Sequence, residues 1–108
     1  QTKIIHKPKI LIIHLKRWSN NLRKNQRIIH FDLNELNMTK YIKTNKEVKY
    51  DLFGIINHSG NIFGGHYHSY IKNDNNKWYI FNDTQVSEIK ETNIKTNKNY
   101  VLFYRLQS

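Results

Sequence analysis

Apolar residues occur along the chain in short runs, each about the length of a β-strand. Polar stretches rich in asparagine and lysine separate these runs. Runs of this length, bounded by turn-forming residues, predict strands rather than helices. The runs expected to be extended are 9–18, 28–33, 48–57, 67–72, 77–81 and 100–106. Pro8 precedes the first run, which fits the start of a strand because proline has no N–H for a sheet ladder.

The connections between these runs are predicted to be irregular. Segment 34–46 is expected to contain a helical turn near Leu36, and 86–99 a short helix near Glu91. Segment 58–65, which holds three of the four glycines, is expected to be a loop, and 73–76 a hairpin turn. Consecutive strands with short connections predict a mostly antiparallel sheet. Since no predicted helix is long enough to cover its second face, we expect that face to be covered from outside this chain.

Composition narrows the class of protein. The 108 residues form a single segment, 1–108, with 38% hydrophobic residues, which excludes a disordered tail. The aliphatic run 10–13 is far shorter than the roughly 20 residues of a membrane span. Cysteine is absent, so these residues supply no disulfide, cysteine zinc site or thiol nucleophile. An intracellular location, cytoplasm and/or nucleus, fits this composition. Because Gln1 begins the sequence, we expect a piece of a longer chain.

The net charge of +10 raises the possibility of nucleic-acid binding. Basic residues cluster within 7–27 around Trp18, and base stacking beside basic side chains is a known binding mode. However, asparagine, isoleucine and lysine dominate and alanine is absent, as an AT-rich coding sequence would produce. We therefore interpret most of the charge as a solvated surface and do not expect nucleic acid to be the main partner.

His66 is the first candidate for chemistry. It follows Gly64 and Gly65 at the start of a predicted strand, and glycines let another backbone approach closely. A histidine in such a place is suited to act as a general base near neutral pH. The alternative is a strand histidine beside a turn with incidental glycines.

The strand after the predicted hairpin brings a partner to His66. A four-residue turn, 73–76, would place His66 opposite Asp83, whereas an odd turn centred on Asp74 would place it opposite Asn82. A shift of one residue exchanges the faces of a strand, so periodicity leaves both registers open. Either side chain could accept the proton on Nδ1 of the imidazole and leave Nε2 as the base.

A metal site is the other use of these residues. His66 and His68 lie two apart on one strand face and could bind a metal together with Asp83. No third cluster of strong ligands lies nearby in the sequence. We therefore expect no metal and no cofactor.

Five blocks, in this order, resemble the C-terminal half of the catalytic domain of ubiquitin-specific proteases. These are thiol-dependent ubiquitin hydrolases with a papain-like catalytic constellation. The blocks are PKILIIHLKRW (8–18), YDLFGIINHSG (50–60), GGHY (64–67), WYIFND (78–83) and YVLFYR (100–105). The family's cysteine block and the paired cysteines that bind zinc in many members do not occur in this sequence.

The resemblance implies roles for individual residues. His66 matches the catalytic histidine, Asn82 the third member of the triad, and Asp83 an adjacent supporting acid. Residues 58–60 are similar to a mobile loop over the ubiquitin tail, and the two glycines would lie beside its Gly-Gly end. The residues expected to bind the tail are His58, Ser59, Gly60, Gly64, Gly65 and Tyr67.

The resemblance also implies a fold and an activity. The expected fold class is α+β, mostly β in this segment, with an antiparallel sheet that forms the palm half of the protease domain. The expected function is a deubiquitinase whose cysteine half is not in this chain, so that the chain alone is inactive. Its partners would be ubiquitin or ubiquitinated proteins and the missing N-terminal half, with no membrane. A non-catalytic ubiquitin-binding remnant and a basic nucleic-acid-binding β domain are the alternatives.

Overall fold

A computed structural model describes residues 6–19, 23–44, 46–61 and 63–108. The strands are β1 (Ile10–His14), β2 (Leu36–Asn37), β3 (Lys49–Asn61), β4 (Gly64–Lys72), β5 (Trp78–Asn82), β6 (Gln85–Ile89) and β7 (Asn99–Leu106). Thr39–Tyr41 and Glu91–Asn93 are 3₁₀ turns. The strands form one antiparallel sheet in the order β1-β7-β3-β4-β5-β6, and the short β2 pairs with β3 outside this path. The predicted antiparallel, mostly β architecture is confirmed.

Several segments differ from the prediction. Leu36–Asn37 is the short strand β2, and the helical turn expected near Leu36 lies at Thr39–Tyr41. The run 28–33 contains no strand, and Phe31 and Leu33 instead pack against the core from outside the sheet. Conversely, Gln85–Ile89 is a strand although its sequence is polar, and four of its five residues are exposed. An edge strand in solvent needs only backbone pairing with its neighbour, so its side chains carry no alternating pattern.

The core lies on one face of the sheet. Leu11 and Ile13 on β1 turn towards it and pack against the buried cluster. Their neighbours Ile10 and Ile12 point the other way and are 42% and 58% exposed. The buried apolar residues are Ile42, Val48, Tyr50, Leu52, Ile55, Tyr70, Trp78, Ile94, Leu102 and Tyr104. Within the described ranges the second face therefore has no cover, as expected from the lack of a long helix.

Segment 58–65 is not the predicted loop. β3 continues through it and pairs with β4, so that Ser59 lies opposite His66 and Asn61 opposite Gly64. The side-chain oxygen of Asn61 accepts hydrogen bonds from the backbone N–H groups of Phe63 and Gly64, at 3.0 and 3.1 Å. The glycines of this segment thus belong to the hairpin that β3 and β4 form, and not to a loop. None of the helical turns in the described ranges is long and apolar enough to cross a bilayer.

Candidate functional site

His66 and Asn82 meet at one end of the sheet, where both side chains are exposed. His66 projects from β4, and Asn82 is the last residue of β5. Asn82 Oδ1 lies 2.6 Å from His66 Nε2. An amide oxygen only accepts, so Nε2 carries the proton and Nδ1 is the basic nitrogen of the neutral ring. This reverses the predicted arrangement, in which the proton on Nδ1 goes to the partner and Nε2 is the base.

The register of the hairpin formed by β4 and β5 differs from both predicted registers. Lys72 pairs with Trp78, so the connection is the five residues 73–77, and pairing continues to Ser69 opposite Phe81. Continued further, the same register puts Asn82 two residues from the position opposite His66. The two are therefore diagonal neighbours on one face, a separation that long side chains can span. An odd turn length does give the correct face, but the turn is centred on Asn75 and not on Asp74.

Asp83 does not join this pair. It lies in the two-residue turn between Asn82 and Gln85, with a positive φ of 54°. No hydrogen bond or ion pair connects it to His66 in the part of the chain that the structure describes. Asp83 instead lines a surface groove together with Tyr67 and Phe81. The structure thus brings Asn82, and not Asp83, to the imidazole.

His68 lies beside His66 on the same strand. The two rings are nearly parallel at 17°, with centroids 6.4 Å apart. Burial lowers the pKa of His68, and the charges of Lys98 and His66 lower it further. The described residues contain no cluster of three or more histidine, cysteine or acidic side chains that could hold a metal. The metal alternative therefore gains no support here.

His58, predicted to contact a bound tail, is buried, with only 4% of its surface exposed. Lys24 Nζ lies 3.1 Å from its Nδ1 and donates to its backbone oxygen at 2.8 Å. Burial and the charge of Lys24 lower the pKa of the His58 imidazole. In the sequence, Lys24 is recognisable only as a member of the basic cluster within 7–27. No local signal could reveal this contact, because the two residues are 34 positions apart.

The two glycines before His66 have different surroundings. A Cβ on Gly65 would lie 2.5 Å from the backbone oxygen of Ser59 and even closer to His58 Nε2. A Cβ on Gly64 would have no atom of the described residues within 4 Å. Gly65 is therefore required by packing within the chain, whereas Gly64 borders open space. Tyr67 is 58% exposed, and its ring lies 4.8 Å from that of His58.

The chain is similar in sequence to known ubiquitin carboxyl-terminal hydrolases. The sequence model of the family described as "Ubiquitin carboxyl-terminal hydrolase" matches residues 1–104. "Putative ubiquitin carboxyl-terminal hydrolase 11" of Arabidopsis thaliana is 40% identical over 104 residues, which are 91% of this chain and 12% of that protein. "Ubiquitin carboxyl-terminal hydrolase 2" of Homo sapiens is 34% identical over 106 residues, 94% of this chain and 18% of that protein. The chain thus spans less than a fifth of the length of these relatives.

Solved structures agree with the sequence comparison. A chain in the "Ubp8-Sgf11-Sgf73-Sus1 SAGA DUB module" superposes with a TM-score of 0.87 and 33% identity, covering 98% of this chain and 26% of that one. A second structure of that module, with Ubp8(C146A) and "bound to monoubiquitin", gives the same TM-score and identity and covers 25% of the matching chain.

Proposed function

Because the chain belongs to the ubiquitin carboxyl-terminal hydrolase family, we propose that it is the His/Asn part of a deubiquitinase active site. The observation that carries this proposal is the 2.6 Å contact between His66 Nε2 and Asn82 Oδ1 at an exposed end of the sheet. A hydrogen bond to one ring nitrogen holds an imidazole in one tautomer and one orientation, which leaves the other nitrogen available for proton transfer.

In the proposed reaction, His66 Nδ1 takes the proton of a cysteine thiol, and the thiolate attacks the carbonyl carbon of the last glycine of ubiquitin. The imidazolium then gives its proton to the leaving amine as the carbon–nitrogen bond breaks. Water hydrolyses the resulting thioester and regenerates the thiol. Asn82 holds the ring throughout and accepts no proton. Since this chain contains no cysteine, the nucleophile comes from residues outside it, and the chain alone is inactive.

The proposed tail-binding surface is the hairpin that leads into His66. Gly64 supports this assignment because it is exposed and none of the described residues occupies the space where its side chain would be. Gly60, Ser59 and Tyr67 flank it on the same hairpin. His58 belongs to this surface only indirectly, since its ring lies beneath the hairpin. We assign Asp83 no contact with the reacting groups.

The test is hydrolysis of a fluorogenic amide at the C-terminus of ubiquitin by the complete protein that contains this chain. His66→Ala is expected to lower kcat by about 100- to 10,000-fold, the usual contribution of a general base. His30→Ala is the matched control, because His30 is an exposed histidine on a different part of the surface. Activity that survives His66→Ala would refute the assignment of the base.

A non-catalytic role gives a different result in the same experiment. If the complete protein binds ubiquitin but does not hydrolyse the amide, and His66→Ala leaves the binding affinity unchanged, the chain is part of a ubiquitin-binding module. If His66→Ala loses kcat but retains its affinity for ubiquitin, the result supports the catalytic role.

A further inference from the structure

Lys24 is a partly buried cation whose ammonium has no acidic partner among the described residues. Its Nζ donates to the backbone oxygen of His58 and contacts His58 Nδ1, and the Trp18 ring centroid lies 5.8 Å away. None of the ion pairs in the described ranges involves this ammonium. Burial lowers the pKa of Lys24, and the charges of Arg17 and Lys98 lower it further. Burying a charged group costs free energy unless the group is hydrogen-bonded. The hydrogen bonds of the Lys24 ammonium therefore stabilise it in this place.

These hydrogen bonds determine the state of the His58 ring. An ammonium group has only donors, so Nδ1 must accept and the proton of the neutral ring lies on Nε2. Nε2 faces the backbone of Gly65, since a Cβ built there would collide with it. The ring also contacts Tyr67, Tyr100 and Trp18, with centroid distances of 4.8, 5.9 and 6.0 Å. The imidazole of His58 is therefore held on several sides.

The backbone against which His58 packs is next to His66, the candidate base. Gly65 directly precedes His66 in β4, and Ser59, the residue after His58, pairs with His66 across the hairpin. His66 reaches Asn82 only diagonally, with 2.6 Å between the two polar atoms. A small displacement of the β4 backbone at Gly65 would therefore break this alignment.

We propose that Lys24 is a positioning residue for His66: it holds the His58 ring against Gly65 and so fixes the backbone from which the His66 imidazole projects. The inference rests on the proposed function, because it takes His66 to be the base. Lys24 acts through His58 and contacts neither His66 nor the reacting bond.

The first test compares steady-state kinetics of Lys24→Met and Lys24→Arg in the complete protein. Lys24→Met keeps a long side chain and removes the donors, and we expect kcat to fall about tenfold or more because misplaced groups lose rate steeply. KM should stay within about twofold, since Lys24 makes no substrate contact. Lys24→Arg, which retains donors, should recover part of kcat. Lys43→Met is the control, because Lys43 is exposed.

Unchanged kcat in a folded Lys24→Met variant, or a rise in KM alone, would overturn the proposal. Inactivity of the unsubstituted protein, in contrast, would refute the proposed function itself. The second test needs no variant: ¹⁵N NMR of the histidine rings should show a neutral His58 with its proton on Nε2. If Lys24→Met does not fold, this spectrum decides: a proton on Nε2 supports the proposal, and a proton on Nδ1 or a charged ring overturns it.

Discussion

Replacement of Gly65 by alanine tests the packing beneath His66 directly. The new methyl group would lie 2.5 Å from the backbone oxygen of Ser59 and would overlap the His58 ring. The His58 side chain is enclosed and the Ser59 oxygen belongs to the backbone of the paired strand, so neither can rotate away. The two strands of the hairpin must separate to accept the methyl group.

The required movement sets the size of the effect. Ordinary contact begins near 3.4 Å, so the oxygen and the methyl group must move apart by almost 1 Å. Overpacking of this kind costs about 1–3 kcal/mol of stability. A displacement of about 1 Å at a catalytic group lowers the rate by about 100-fold. Gly65→Ala should therefore remain folded, given a typical stability of about 5–15 kcal/mol, but lose most of its kcat.

Gly64→Ala is the matched control one residue away. In the part of the chain that the structure describes, its methyl group meets no atom within 4 Å, so the free energy of unfolding should change by less than about 0.5 kcal/mol. If the substrate tail passes over Gly64, this variant raises KM without a loss of stability. Urea denaturation and hydrolysis of the fluorogenic ubiquitin amide measure the two quantities. A Gly65→Ala variant with unchanged stability and unchanged kcat would refute the packing of His58 against the hairpin.

Three further predictions concern the contact between His66 and Asn82, the pH dependence of stability, and the two faces of the sheet. Asn82→Ala should lower kcat at least about tenfold, whereas Asn82→Asp, which keeps an oxygen acceptor, should retain more activity in the same assay. Stability should fall as the pH drops below about 6.5, the ordinary histidine value, because burial and the nearby lysine lower the pKa of His58 and the unfolded chain therefore binds the proton more readily. Urea denaturation at pH 7.5 and 5.5 should show this loss, and a smaller loss in His58→Gln; equal stability at both pH values would contradict it. Ile55→Ala should cost about 2–5 kcal/mol in thermal or urea unfolding of the complete protein, as for a buried core residue. Ile12→Ala should cost less than about 1 kcal/mol if its face is bare there too, and a larger cost would mean that residues outside this chain cover it.

The site could be predicted only in part from the sequence. The motif around His66 identifies the histidine, and the block 78–83 contains its partner. The choice between Asn82 and Asp83 depends on the length of the turn, and asparagine-rich stretches such as 73–77 do not show where the strands end. Which ring nitrogen of His66 contacts Asn82 depends on the orientation of the ring. The pattern of residues along a strand does not predict that orientation.

Features that depend on neighbouring residues could be predicted from the amino-acid sequence: most of the strands, the antiparallel class, the apolar second face and the family motifs. Ile10–His14 is a continuous apolar run, so its extended conformation is a local property, whereas the alternating burial of its residues follows from the fold. The continuation of β3 through 58–61 depends on its pairing with β4. The diagonal contact of His66 with Asn82 and the contact of Lys24 with His58 depend on the register of the sheet and join residues 16 and 34 positions apart. Such contacts arise from the packing of the whole sheet, and no local preference of either partner encodes them.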